Sequence, residues 1–215
     1  MFFLAACATS IPAGTTFDPT SGDALVIVDE TLAGRGNSLI LEGVDLEGRT
    51  FNGPRRLISM ANRNRIEGGA AGMDLYLGTV PPGVYAVAGH ETVSLAGRAT
   101  RCYRLGAIVV DMRAGQGNLI SRNRLRFRDD DVPASGADDA AVFDIALQSA
   151  RQVLAGVPAI ASEVPVERAE IAAQIRWSQE TTMEGVLVGE TCPEARNFEI
   201  MPDPAASPGA VSKPE

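Results

Sequence analysis

Short apolar runs separated by turn chemistry recur along the first 130 residues of the chain. Ala24 to Asp29 is continuously apolar up to its last residue, which suits a well-buried strand. Ser38 to Asp45, with Leu39, Ile40, Leu41 and Val44, predicts a second strand, and Arg56 to Ala61 a third. Met73 to Val80 alternates apolar and polar positions and then meets Pro81-Pro82-Gly83. Proline fixes φ and glycine supplies φ > 0, so a tight turn into Val84–Ala88 is expected. Thr92 to Leu95 reads as a further short strand. Arg101 to Met112 reads as a long one, with Leu119 to Phe127 as its hairpin partner across Ala114 to Asn118.

That last stretch has the clearest period of two. Asn123, Leu125 and Phe127 point one way, and Arg122, Arg124, Arg126 and Arg128 the other. After Asp129-Asp130-Asp131 the period changes. Val142, Phe143, Ala146, Leu147, Ala150, Val153 and Leu154 recur at three and four, which predicts an amphipathic helix over 138–155. Asp138 and Asp139 favour its first turn, and Gly156 and Pro158 end it. Glu170 to Trp177 alternates like a strand although Ala and Glu favour helix; strand is preferred. Gly185 to Gly189 reads as another short strand. The fold class expected is mainly β: an antiparallel β-sandwich or partly closed barrel of about eight strands, with one C-terminal amphipathic helix.

Composition agrees with this picture. Of 215 residues, 45% are apolar, enough for one core, and 22 Gly with 13 Pro suit many turns. No apolar run approaches the roughly 20 residues that span a bilayer as a helix. The net charge of -8 is unevenly spread. Residues 1–34 carry four acids and no base, residues 35–128 fourteen Arg against seven acids, and residues 129–215 sixteen acids against five bases. A basic middle therefore faces an acidic last third.

The first residues add a different signal. Leu4-Ala5-Ala6-Cys7 resembles the lipobox of bacterial lipoproteins. The resemblance implies cleavage before Cys7, a thioether-linked diacylglycerol and an N-acyl chain on it, and anchoring to membrane lipid. Only six residues precede Cys7, short of a full signal peptide, so the true start is expected upstream. The alternative is a chance Leu-Ala-Ala-Cys at the start of a cytoplasmic protein. Boundaries follow: 1–6 a signal remnant, 7–22 anchor and flexible tether, 23–200 one β-rich domain with its helix, and 201–215 a disordered tail. With Cys7 acylated, Cys102 and Cys192 remain, an even number in an oxidising compartment, and a disulfide between them is expected; two separate buried thiols are the alternative.

A second resemblance lies at Leu75-x-Leu77-x-x-Val80-Pro-Pro-Gly-Val-Tyr-Ala-Val87. It resembles the strand–turn–strand of transthyretin-like small β-sandwich modules and covers residues 24–128. Joined to a lipobox and a C-terminal helix, it is similar to uncharacterised proteobacterial lipoproteins. The resemblance implies a sandwich fold and no catalytic residues.

Chemistry is mostly excluded by spacing. His90 is the only histidine, expected at a partly exposed strand end, so no His-rich metal site can be built. No Cys-x-x-Cys, Walker loop, EF-hand or Gly-x-Ser-x-Gly elbow occurs, and Asp129-Asp130-Asp131 reads as a solvated loop. No metal, cofactor or catalytic residue is expected. Arg122, Arg124, Arg126 and Arg128, with Arg63, Arg65, Arg101 and Arg104 nearby, are the one candidate surface. Internal pairing with the acidic last third is the preferred account. The others are an anionic envelope component, such as lipid phosphate or peptidoglycan carboxylate, and a merely solvated face. Export and overall acidity speak against nucleic acid. The expectation is an envelope lipoprotein, lipid-anchored in the outer membrane and facing the periplasm, with a non-catalytic binding or structural module. The alternative is a periplasmic hydrolase using carboxylate acid/base chemistry.

Overall fold

The structure, a computed structural model, describes residues 9–10, 17–29, 38–60, 65–66, 74–95, 97–103, 106–120, 137–157, 160, 163–178 and 197–201. Its strands are β1 (Thr9–Ser10), β2 (Ala24–Asp29), β3 (Ser38–Asp45), β4 (Thr50–Phe51), β5 (Arg56–Ser59), β6 (Arg65–Ile66) and β7 (Leu75–Val80). They continue with β8 (Gly83–Ser94), β9 (Gly97–Cys102), β10 (Gly106–Met112), β11 (Gly117–Ile120), β12 (Val166–Arg168), β13 (Glu170–Trp177) and β14 (Phe198–Ile200). One α-helix, α1 (Ala137–Ala155), is present among the described residues, one residue longer at its start than the periodicity predicts.

The strands form two sheets. The first has the order β1-β7-β2-β11-β12, with β6 also on β7; the second has the order β14-β13-β10-β8-β3-β4, with β5 also on β3 and β9 on β8. The alternation of β2 explains the layering. Val26 and Val28 face the second sheet and meet Leu39, Leu41, Ile58, Val87, Ile108 and Val110. Leu25 and Ile27 face the other way and meet Ala146, Leu147, Ala150 and Leu154 of α1, spaced at three and four. A strand covered on both faces must be apolar throughout, as Ala24–Val28 is. The sheets come close where Gly78 faces Ile58: a Cβ at Gly78 would stand 2.8 Å from Ile58 Cδ1. The order of layers is therefore helix, first sheet, second sheet, with a further apolar cluster of Val44, Ala86, Val109, Ile175, Trp177 and Phe198 on the second sheet's outer face.

Three connections differ from the sequence reading. The Pro81–Gly83 turn closes no hairpin. Strand β7 pairs within the first sheet and β8 within the second, so the turn carries the chain from one to the other. Gly83 has φ of 147°, and the Tyr85 hydroxyl donates to the Pro81 carbonyl at 2.9 Å, holding the crossing shut. Strand β8 then runs unbroken for 12 residues, absorbing the short strand expected at Thr92–Leu95. The expected long strand from Arg101 is two collinear pieces: β9 pairs with the second half of β8 and β10 with the first half.

Nor is β11 the hairpin partner of β10. It leaves the second sheet and pairs in parallel with β2 on one side and β12 on the other. Parallel neighbours need a long crossover, and α1 supplies it between β11 and β12. The mainly β sandwich with one C-terminal helix expected from the sequence is the fold observed, its described strand pairs antiparallel except the two that β11 makes with β2 and β12. Asn118, fully buried, shapes the corner. Its Nδ2 donates to the carbonyls of Leu25 at 3.2 Å, Arg113 at 3.1 Å and Gln116 at 3.1 Å, and its Oδ1 accepts from Arg113 N at 3.1 Å. Glu170–Trp177 is the strand expected, and no described helix is long and apolar enough to cross a membrane.

Candidate functional site

The residues that the sequence singles out fall at three places. Cys7 lies outside the described residues, but β1 begins two residues later. Thr9 pairs with Thr79 and Ser10 with Gly78 on the outer side of β7. Further along, Phe17 is buried and bridges to Ile160, and Pro19–Ser21 is a 3-10 turn capped by Asp18. The Asp18 carboxylate accepts from the Thr20 hydroxyl at 2.7 Å and from the Thr20 amide at 2.8 Å. These hydrogen bonds, the side-chain one foremost, hold its pKa below the usual carboxylate value. The segment expected as a flexible tether, 7–22, is thus bound to the domain at both of its described stretches. Its Thr and small residues add a strand to an edge, and its one Phe fills the core.

Cys102 ends β9 opposite Gly89, half-buried. Cys192 lies outside the described residues. The ends of the segment that carries Cys192 are nevertheless fixed: Ser178 N donates to Asn197 O at 2.9 Å, and Trp177 Nε1 donates to Tyr103 O at 2.7 Å. The chain around Cys192 therefore leaves and returns beside the residue that follows Cys102.

Arg122, Arg124, Arg126 and Arg128 lie outside the described residues, as do Arg63, Arg104 and Asp129–Asp131. Among described arginines, most charge is met locally. Arg55 pairs with Glu42 at 2.9 Å, Arg65 with Asp74 at 3.1 Å and Arg98 with Glu91 at 3.5 Å, all inside the basic middle. In the acidic last third Arg151 pairs with Glu167 at 2.9 Å, and Arg168 with Asp144. One described pair joins the two regions, Arg113 with Glu170 across β10 and β13. Arg113 also stands 3.6 Å from Asp111, and both Arg113 and Glu170 are more than half exposed, so the pair contributes little to stability.

His90 is not at an exposed strand end. It sits inside β8, 6% exposed. Its Nε2 and the Tyr103 hydroxyl share a hydrogen bond at 2.8 Å, and the rings meet edge-on with centroids 5.5 Å apart. The long reach of β8 covers it, because β9 continues past the point where a strand ending at Ala88 would leave the ring in water. Sequence reasoning missed Tyr103, Trp177 and Asn118 as partners. Trp177 and Asn118 donate to backbone carbonyls, and Tyr103, just past the end of β9, meets His90 through its hydroxyl; neither kind of contact leaves a mark on a hydropathy pattern.

One cavity of about 360 Å³ lies between the last turns of α1 and the approach to β12. Leu154, Ile160, Val164 and Val166 make its apolar wall, with Arg151, Glu163 and Glu167 at the polar side. Arg151 Nε also donates to Val166 O at 2.9 Å, so this guanidinium is braced against β12 as well as against Glu167. The size falls within the range of small-ligand pockets. No group of three or more His, Cys, Asp or Glu among the described residues could hold a metal ion. No protein-family model, curated protein or solved structure matches the chain.

Proposed function

We propose that this is an envelope lipoprotein acylated at Cys7, whose β domain is a non-catalytic binding or structural module facing the periplasm from the outer membrane. The observation that carries the reading is the placement of Cys7: it follows Leu4-Ala5-Ala6 and comes two residues before an edge strand of the domain. At about 0.8 kcal/mol for each methylene buried in lipid, several acyl chains on that residue would hold the domain on a membrane almost permanently. The two-sheet sandwich with the Pro81-Pro82-Gly83 turn is of the general kind that the transthyretin-like resemblance implies. For Arg122, Arg124, Arg126 and Arg128, pairing with carboxylates of the acidic last third stays the preferred account, and an anionic envelope component is the alternative partner.

A Cys102–Cys192 disulfide belongs to the same reading. Two facts support it. Apart from Cys102 the chain holds only two cysteines. The 179–196 segment starts and ends beside Tyr103. Cys7 would then remain available for lipid.

The test is expression with the complete upstream signal, followed by fractionation and mass analysis of the N-terminal peptide. Wild type should sediment with outer membranes and carry the lipid mass on Cys7, and Cys7→Ser should accumulate unprocessed. A soluble periplasmic protein without that mass would end the proposal.

A further inference from the structure

Resting on that lipoprotein reading, we infer that the acylated domain stands on the bilayer by the end that carries the Val80–Gly83 crossing, and that the β8–β9 hairpin points away from the membrane. Register fixes the first half. Thr9 lies opposite Thr79, one residue before the end of β7. Cys7 is two peptide steps from Thr9, and two residues span at most about 7 Å. An acyl group on Cys7 would therefore attach within about 7 Å of Thr9, near the Val80 end of the first sheet.

Several elements begin or end at this same level. Ala24 pairs with Val80, Gly83 with Met112, and Gly117 with both Leu25 and Val166. Pro81, Pro82, Arg113 and Ala114 are among the residues exposed there. The cavity between α1 and β12 lies at this end too, since Val166 lines it. A small ligand entering that cavity would thus be met close to the lipid surface.

The opposite end is set by the length of β8. From Gly83 to Ser94 the strand rises roughly 35 Å at about 3.3 Å per residue. Beyond it Leu95 is fully exposed, and Val93 is 49% exposed beside Arg98. This apolar tip would be lost in the headgroups if the domain stood the other way up. In the proposed orientation it is offered to whatever lies across the periplasm.

The experiment uses the full acylated chain in phosphatidylcholine vesicles whose headgroups carry a fluorescence quencher. Lys213 is the only lysine, so a Lys213→Arg background accepts a single amine-reactive fluorophore at Ala114→Lys or at Leu95→Lys. Both positions are exposed, and matching thermal melts of the variants establish that the fold is kept. The label at position 114 should lose most of its emission to the quencher, and the label at 95 should keep most of its own. Equal quenching, or stronger quenching at 95, overturns the orientation. Mass analysis separates the two failures: a chain without lipid on Cys7 refutes the anchoring reading itself, whereas an acylated chain with the wrong quenching pattern refutes only the orientation.

Discussion

The indole Nε1 of Trp177 donates to the backbone carbonyl of Tyr103 at 2.7 Å, joining the end of β13 to the break between β9 and β10. Tyr103 N in turn donates to Ala88 O at 2.9 Å, so three strands meet at one residue. The Trp177 ring stands 6.0 Å from Phe51, which meets Phe198 edge-on at 5.5 Å. Trp177→Phe keeps the ring and removes the donor, leaving a part-buried carbonyl short of a partner. The expected cost is about 1–3 kcal/mol. Trp177→Ala also empties the aromatic cluster and should cost about 3–5 kcal/mol. Urea midpoints at unchanged slope measure both. A Phe variant as stable as wild type would show that the indole bond contributes nothing.

The same corner gives the disulfide its expected effect. A Cys102–Cys192 bridge closes a loop of about 91 residues, for which chain entropy alone gives roughly 4–5 kcal/mol, an upper figure because strain reduces it. Non-reducing peptide mapping of the protein expressed with the complete upstream signal should return a peptide pair joined through these two residues. Cys102→Ser should lower the urea midpoint and abolish the sensitivity of that midpoint to reductant. A Cys7–Cys102 pair in the map would contradict both the bridge and the anchor.

Much of the fold is legible because burial leaves a period. The alternation in Glu170–Trp177 and the three-and-four spacing in α1 each identify an element correctly. What periodicity cannot show is a shift of register. In β13 the sequence places Ile171, Ala173, Ile175 and Trp177 on one face. A bulge opposite Val109 and Val110 turns Ile171 inward between the sheets, while the other three stay on the outer face. Sheet membership is equally hidden. Pro81-Pro82-Gly83 has the same local chemistry whether it closes a hairpin or crosses between sheets, and the difference lies in which strands wait on either side. Of the candidate site, Cys102 is placed, and the arginine stretch lies outside the described residues.

Asn118 offers the sharpest test of the parallel insertion of β11. Its amide is the only side chain that bonds to the backbone of both β2 and the 113–116 turn among the hydrogen bonds described. Asn118→Ala should cost roughly 2–4 kcal/mol, because several buried backbone groups lose a partner at once. Asn118→Asp keeps the shape and aims a carboxylate at three carbonyls. That environment raises its folded-state pKa above the unfolded value, so its stability is greatest at low pH and falls as pH rises through the raised value. The deficit of Asn118→Asp against wild type should therefore shrink between pH 7 and pH 4. A deficit that stays constant would mean that Asn118 is a space filler.

Tyr85 links the crossing between the sheets to an alkaline transition. Burial of its ring is the main cause that raises the hydroxyl's pKa above its usual value; Arg56 pulls the other way, and the charge of Asp23 adds to the rise. A raised folded-state pKa means that the folded protein holds this proton more tightly than the unfolded chain does. The associated stability is fully present below the unfolded tyrosine value of about 10 and is lost as pH rises through the higher folded value. Wild type should lose melting temperature above about pH 10 more steeply than Tyr85→Phe, which has no such proton. At neutral pH the same substitution removes the 2.9 Å bond to Pro81 O and should cost about 1 kcal/mol. Melting curves of both proteins from pH 7 to pH 11 carry the test. If the two fall in parallel above pH 10, the phenol proton is not what secures the crossing.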